Sequence, residues 1–410
     1  MRLSPRAVQQ IDSPIGTAYA LLDLRSKERD LLDLAQAAPQ YPTAPEVVEH
    51  VASVARHDHG GDYGEIVGLP HLRAAFATEL CDAYRGHVRP ENVVITAGCN
   101  QAFCLVTSAL AEPGDEVVLT LPYYFNHDMW LRLNGFVPVY LEPGDDLVPT
   151  PQAAEAVITP RTRALVVVSP GNPSGVTVGP DRIAALAEVA RRRGIALILD
   201  ETYRSFRGTD TPAHELFADP EWAGTLVSLH SFSKDFAIPG YRVGAVVGSP
   251  ELNREVAKLM DCVAICAPRI GQEAAWAGLT EARQWRDARA REIADKHTWF
   301  VAAMADRPGG VELVSAGGFF GWVRHPVAGR ATDDVVRELA VTYDTLVIPG
   351  TAFLPDDRGM LRISFSNIDR AGIADLATRL LAAGLDAGRE QGALGPARSR
   401  VRWLDRGSTS

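Results

Sequence analysis

No apolar run in the 410 residues is long enough to span a bilayer, and MRLSPRAVQQ leads into no signal-peptide core. Cysteine is scarce. The five residues Cys81, Cys99, Cys104, Cys262 and Cys266 are scattered, odd in number and form no CxxC pair. That excludes a disulfide framework and fits reduced thiols in a cytoplasm. Cys262 and Cys266 are spaced to share a helix face, but two thiolates without further ligands make no metal site. The histidines of EHVASVARHDHGG, His50, His57 and His59, read as a solvated helix end. Positive charge is also in deficit, with 41 Lys and Arg against 51 Asp and Glu and a net charge of -10. Nucleic acid and anionic membrane are therefore poor partners, although local cations can still hold a small anion on an acidic protein. No GxGxxG follows an early strand, which rules out a dinucleotide-binding dehydrogenase. There is no internal repeat.

The residues that are present alternate between apolar strands and helices from about position 90. NVVITAG, DEVVLTL, FVPVYL, RALVVVSP, IALILDE, TLVSLHS and RVGAVVG read as successive strands. RALVVVSP and IALILDE are continuous apolar runs, as buried parallel strands require. Between them DRIAALAEVARRRG is an amphipathic helix closed by Gly194. This spacing predicts an α/β sheet covered on both faces. A long helical stretch is expected at roughly 270 to 305. Beyond it VELVSAGG, FFGWVRH and LRISFS read as strands and DDVVRELAVTY and AGIADLATRLLAAG as helices, a smaller α+β unit. The expected division is a large domain at 46–285, a small domain formed by 1–45 and 286–388, and a flexible Gly, Arg and Ser-rich tail at 389–410.

Ligands of such sheets sit beyond the carboxyl ends of the strands. The segments there are AGCNQ, LPYYF, SPGNPSG, DETYR and HSFSK. Asp200 ends an apolar strand, where a carboxylate needs a cation or strong donor. Asn172 sits in a loop stiffened by two prolines and two glycines. Gly98, Cys99 and Asn100 open a helix whose free N–H groups suit an anion. Ser231, Ser233 and Arg242 add donors for the same anion. Of Tyr123 and Tyr124, one can stack on a flat ligand. Taken singly each segment is an ordinary turn, cap or core residue. Together they describe a flat heteroaromatic ring with a phosphate arm. Lys234, among apolar neighbours and near Arg242, then has a lowered pKa and serves as an amine nucleophile. It is best explained as the Schiff-base lysine for pyridoxal 5'-phosphate.

The order TAGCNQAF, PYYF, SPGNPSG, DETY, SFSKDFAIPGYRVG, LRISFSN resembles the class I/II pyridoxal-phosphate-dependent aminotransferases of fold type I, from about residue 30 to 385. The resemblance implies a large domain with a mostly parallel seven-stranded sheet between helices. It implies that Lys234 binds the cofactor and carries protons, and that Asp200 pairs with the ring nitrogen. Tyr203 and Asn172 would bond the ring oxygen, and Tyr124 would stack on the ring. Gly98, Cys99, Asn100, Ser231, Ser233 and Arg242 would hold the phosphate. Tyr63 matches a tyrosine lent to the neighbouring subunit, so the active unit is expected to be a homodimer. Arg362, with Asn172, would clamp the substrate α-carboxylate. The resemblance departs at Ala37, where the substrate-side loop often has glycine. Arg269 falls where partner-subunit residues can line the substrate pocket and would there recognise a polar or acidic substrate side chain, or else it forms a surface salt bridge. The implied reaction moves the amino group of an L-α-amino acid to a 2-oxo acid. A lyase, cyclase or amino-acid oxidase of the same fold remains the alternative, with His127 and the YYFNHDMW segment unassigned. A sensor fused to a DNA-binding module is not expected, since no helix-turn-helix precedes the matched region.

Overall fold

The computed structural model describes residues 1–57, 60–209, 211–327 and 329–385. His59 and the tail from 389 lie outside the described residues. A first short strand, β1 (Leu32–Asp33), belongs to the segment before the main sheet. The main sheet is built from β2 (Val93–Thr96), β3 (Glu116–Thr120), β4 (Val137–Leu141), β5 (Thr162–Val168), β6 (Ala196–Asp200), β7 (Leu226–Ser231) and β8 (Gly244–Val247). Their order is β2-β8-β7-β6-β5-β3-β4, and only β8 runs antiparallel to its neighbours. Each strand predicted for this sheet is present.

The pleat explains why these strands are apolar on both faces. Ile95, Leu165, Leu197 and Leu199 enter one core, while Val94, Val166, Ile198 and Leu229 enter the other. Helices cover both sides. Pro180–Arg193 shows how such a helix is specified. Ile183, Leu186, Val189 and Ala190 recur at helical spacing and are buried. Pro180 starts it, three arginines sit in the last turn against the dipole, and Gly194 ends it at φ 65°.

Two helices, Arg269–Glu281 and Arg283–Met304, replace the single helical stretch expected at 270 to 305. The chain turns at Ala282 (φ -111°, ψ 24°), with no Pro or Gly to announce it. Cys266 lies outside the helix Pro250–Ala264 that carries Cys262. The second sheet contains β9 (Glu312–Gly317) and β10 (Phe320–Arg324), then, after β11 (Thr345–Leu346), β12 (Ile348–Pro349) and β13 (Met360–Ser364). Its order is β12-β13-β10-β9, all antiparallel, while β11 pairs in parallel with β1. A third core, with Phe300, Phe319, Leu361 and Ile363, includes Leu32 and Leu34.

The loop after β5 meets the end of β9 backbone to backbone at Gly175 and Gly317. A Cβ on Gly175 (φ +72°) would come 2.6 Å from the Gly317 oxygen and 2.7 Å from the Phe320 oxygen. Ser315 Oγ donates to the Ser174 carbonyl at 2.7 Å beside this contact. Elsewhere, buried Glu79 on the helix Pro70–Tyr84 accepts from Arg204 at 3.0 Å, Arg283 at 3.0 Å and Arg286 at 2.6 Å. Among the described residues, no helix is long and apolar enough to cross a membrane.

Candidate active site

Asp200 is the last residue of β6 and is buried. Its Oδ1 accepts the Thr202 backbone N–H at 3.0 Å, and its Oδ2 lies 3.5 Å from His127 Nε2. The His127 ring is itself buried, stacked on Phe103 with centroids 3.8 Å apart. Burial alone would push the Asp200 carboxyl up, but His127 and Thr202 outweigh it and hold the carboxyl below its ordinary value. Asp200 is therefore ionised at neutral pH although it has left water.

Lys234 stands on the short helix Phe232–Asp235 that follows β7. Ser231 caps that helix by accepting the Ser233 N–H at 3.2 Å. The ammonium donates to the Ala37 carbonyl, so Ala37 contributes its backbone. Burial, and then the nearby Arg362 and Arg242, lower the Lys234 pKa to about 8. The expected lowering has both a desolvation and a charge cause, and Arg362 was not named for it from the sequence.

Arg362 projects from the middle of β13 and is 2% exposed. It donates to Asn172 Oδ1 at 3.0 Å and to the Ala35 carbonyl. Its Nε has no hydrogen-bond partner, and its guanidinium carbon lies 5.0 Å from the Phe320 ring and 5.1 Å from that of Phe353. Burial lowers its pKa to about 10. Arg242, at φ 51°, donates to the Pro239 carbonyl at 2.9 Å and the Ala97 carbonyl at 3.3 Å. Among the described residues, none of these three cations bonds a carboxylate.

The helix Cys99–Leu110 begins at Gly98, whose φ of +89° favours glycine, and a Cβ there would strike the Arg242 guanidinium. At Gly244 a Cβ would come 2.7 Å from the Cys99 nitrogen. Backbone and the Arg242 guanidinium thus crowd around a helix start with unfilled N–H groups, and Ser231 and Ser233 line the same cavity. Burial raises the Cys99 thiol well above its ordinary value, so this cysteine is a neutral wall. Tyr124 OH accepts from Asn126 at 3.0 Å, and Tyr203 OH lies 3.5 Å from Asn172 Nδ2. Burial raises both phenols, keeping them neutral donors.

These groups line one cavity of about 570 Å³, in which Asp200 is the only lining carboxylate among the described residues. Ala37, Cys99, Asn100, Tyr124, Asn172, Asp200, Tyr203, Ser231, Ser233, Lys234, Arg242 and Arg362 all reach it, with Gly98 one residue behind. Tyr63 is 76% exposed and does not line it. Arg269 does not line it either; its guanidinium lies 3.8 Å from Glu273. Tyr123 is core, stacked on Tyr140, and Phe319 packs on Tyr203. Sequence reasoning gave His127 no role and passed over Thr202, Ala35 and the N-terminal helix Pro14–Ala20, which brings Ile15 to the cavity. The donors fit a flat ring carrying a phosphate: an anion cradle at Gly98 and Arg242, an ionised acid for a protonated ring nitrogen, and an amine close by.

A model of the family Aminotransferase class I and II matches residues 29–380. An aromatic aminotransferase of Arabidopsis thaliana is 31% identical over 359 residues, covering 85% of this chain and 88% of that protein. A probable aspartate/prephenate aminotransferase of Thermus aquaticus is 31% identical over 356 residues, covering 84% and 89%. The solved aspartate aminotransferase from Thermus thermophilus with maleate has a TM-score of 0.85 at 26% identity, covering 93% of this chain and 100% of that one.

Proposed function

The chain belongs to the class I and II aminotransferase family, and from that premise we propose that it binds pyridoxal 5'-phosphate on Lys234 and moves the amino group of an L-α-amino acid to a 2-oxo acid. The observation that carries this reading is the set of three buried or cavity-lining cations, Lys234, Arg242 and Arg362, without a carboxylate partner around the single ionised Asp200. Buried Arg362 and partly buried Lys234 are costly to leave unpaired, Arg242 is exposed beside them, and anionic ligands would supply what all three lack.

When bound, the cofactor supplies a carbonyl that takes up an amine and a ring that accepts the electron pair released at the substrate α-carbon. Lys234 does the proton work at that carbon, since an amine with a pKa of about 8 is partly unprotonated near neutrality. Asp200, held ionised by His127 and Thr202, keeps a proton on the ring nitrogen. Tyr203 and Asn172 bond the ring oxygen, and Tyr124 covers a ring face. Arg242, Ser231, Ser233 and the N–H groups after Gly98 hold the phosphate, with Tyr63 reaching the site of a second copy in a homodimer. Its exposure supports that reading. Arg362 and Asn172 take the substrate α-carboxylate. The main sheet forms a domain at 46–285, the second sheet belongs with 1–45 and 286–388, and the enzyme works in the cytoplasm.

The test is the visible spectrum of cofactor-loaded protein with an amino acid and no 2-oxo acid. One amino acid should bleach the cofactor band stoichiometrically, and a 2-oxo acid should restore it. Failure of Lys234→Ala to abolish both changes would refute the assignment.

A further inference from the structure

Lys234 and Arg362 each lean on a main-chain oxygen of one short loop. Lys234 donates to the Ala37 carbonyl and Arg362 to the Ala35 carbonyl. The side chains of that loop do little to fix it, since Leu34, Ala35, Ala37 and Ala38 are apolar and Gln36 is exposed. Where its carbonyls point is therefore decided by the groups that bond its backbone. Asn367 is foremost among them. It closes the 3₁₀ turn Phe365–Asn367 that follows β13 and is 6% exposed. Its Nδ2 donates to the Asp33 carbonyl at 3.0 Å and to the Gln36 carbonyl, and its Oδ1 accepts the Ala38 N–H at 3.3 Å. The hydroxyls of Ser364 and Ser366 donate to the same oxygen, each at 3.1 Å. Two further ties complete the frame. The Ser364 N–H donates to the Leu34 carbonyl at 3.0 Å. Asp33, which accepts the Tyr19 hydroxyl at 2.7 Å, accepts the Ala35 N–H at 3.1 Å.

We propose that Asn367 is a positioning residue, which sets the backbone of residues 33–38 so that the Ala35 and Ala37 carbonyls aim Arg362 and Lys234 in the cavity. Every bond in this frame lies within one chain, so it stands whatever a second copy adds to the site. An apolar side chain of the same size would fill the space but leave two carbonyls and an N–H without their partner. The loop also shields Lys234. If it loosens, water reaches the ammonium and takes the place of the Ala37 carbonyl, and the amine pKa climbs towards that of a free lysine. Arg362, released from the Ala35 carbonyl, keeps its charge and loses its aim, which weakens its hold on a carboxylate. The catalytic weight of both effects rests on the reading of Lys234 and Arg362 given above.

The test uses the cofactor-free protein and needs no turnover. The pH dependence of Lys234 acetylation by acetic anhydride, read by mass spectrometry, gives the midpoint of the amine, and amide exchange reports the loop. Asn367→Ala is expected to raise that midpoint by about half a unit or more. It should also speed exchange in residues 34–38 by about tenfold or more beyond any change in β5. Asn367→Ser, which keeps one donor, should lie between it and the wild type. In the loaded enzyme Asn367→Ala should raise KM for the amino acid by about tenfold, more than it lowers kcat. An unmoved midpoint and unchanged loop exchange, in a variant that is merely less stable, would reduce Asn367 to packing and overturn the proposal. If neither variant folds, the wild type decides. Its Ala38 amide should be as protected as those of β13, and exchange at the rate of an open coil overturns the proposal too. The catalytic reading fails separately, through a Lys234→Ala protein that still forms the cofactor band while the loop behaves as expected.

Discussion

Lys234 and Asp235 are neighbours in the chain, yet the arginines near each live by opposite rules. On the side of Asp235, the Arg204 side chain is 9% exposed, and on the other Arg362 is 2% exposed. Burial pulls the Arg204 pKa down, but Glu79 and Asp235 outweigh it and the guanidinium ends above its ordinary value. Burial likewise pulls Arg362 down, to about 10, and there only the phenols of Tyr203 and Tyr124 push back. Glu79 gathers three arginines, while the cavity leaves three cations without an acid. Burial of charge is thus common to both places. The missing counter-ion marks the one that works on ligands.

This contrast has consequences that differ in kind. Lys234→Ala should lower the amino-transfer rate by on the order of 10⁴-fold while leaving the protein folded, since on the proposed reading it removes the group that moves the proton. Rapid mixing with an amino acid reads this, and a residual rate above a hundredth of normal would break the assignment. Glu79→Gln should do the reverse. Its three arginines lose a buried partner, which costs about 3–5 kcal/mol of stability in urea unfolding. Activity per folded molecule should stay within about twofold. The Glu79 carboxyl is held at about 2, because its arginines outweigh the burial that raises it. Its contribution to stability is therefore present above about pH 4.3 and fades as pH falls towards 2. An unchanged acid limb in Glu79→Gln would contradict the contrast.

Arg362→Met should cost about 2–4 kcal/mol in kcat/KM, a loss of roughly 30- to 1,000-fold, yet change stability by no more than about 1 kcal/mol. It should also raise the Lys234 pKa from about 8, because removing a nearby cation favours the ammonium. The pH profile of cofactor capture by the cofactor-free protein reports this shift. The lowered lysine pKa has its own stability signature. The unfolded chain binds the extra proton between about pH 8 and 10.4, so the cofactor-free protein gains stability as pH rises through that window. Lys234→Met should lack that gain. The smallest effect is expected for His127→Asn, which takes from Asp200 a group that holds it ionised. Without it the Asp200 carboxyl should rise from its lowered position, and the rate should fall by about tenfold or less. A full rate in His127→Asn would reduce the histidine to a packing role.

The main sheet was legible because each of its strands is a short apolar run punctuated by Gly, Pro or Asp, and the site lies where those runs stop. Asp200 and Lys234 stood out as charges among apolar neighbours. His127 did not yield a role, since its partner lies far away in sequence and its ring is placed by Phe103. Ala37 was read through its methyl group, whereas its carbonyl is what meets Lys234. A backbone atom leaves no mark in residue type. The turn at Ala282 and the grip of Glu79 on Arg283 were hidden for the same reason: packing across the fold sets them. The choice between amino transfer and the other reactions of the fold rests on the family match.

The bare contact of Gly175 with Gly317 acts as a mechanical stop. Asn172 follows the first sheet and Arg362 belongs to the second, and they are joined by a 3.0 Å hydrogen bond. With no side chain between the glycines, the gap between the two halves is set by the thickness of the peptide backbone, a gauge that mutation elsewhere cannot reset. A methyl group at position 175 or 317 would be a shim. It would part Asn172 from Arg362 without replacing either residue, and so detune the enzyme through spacing alone.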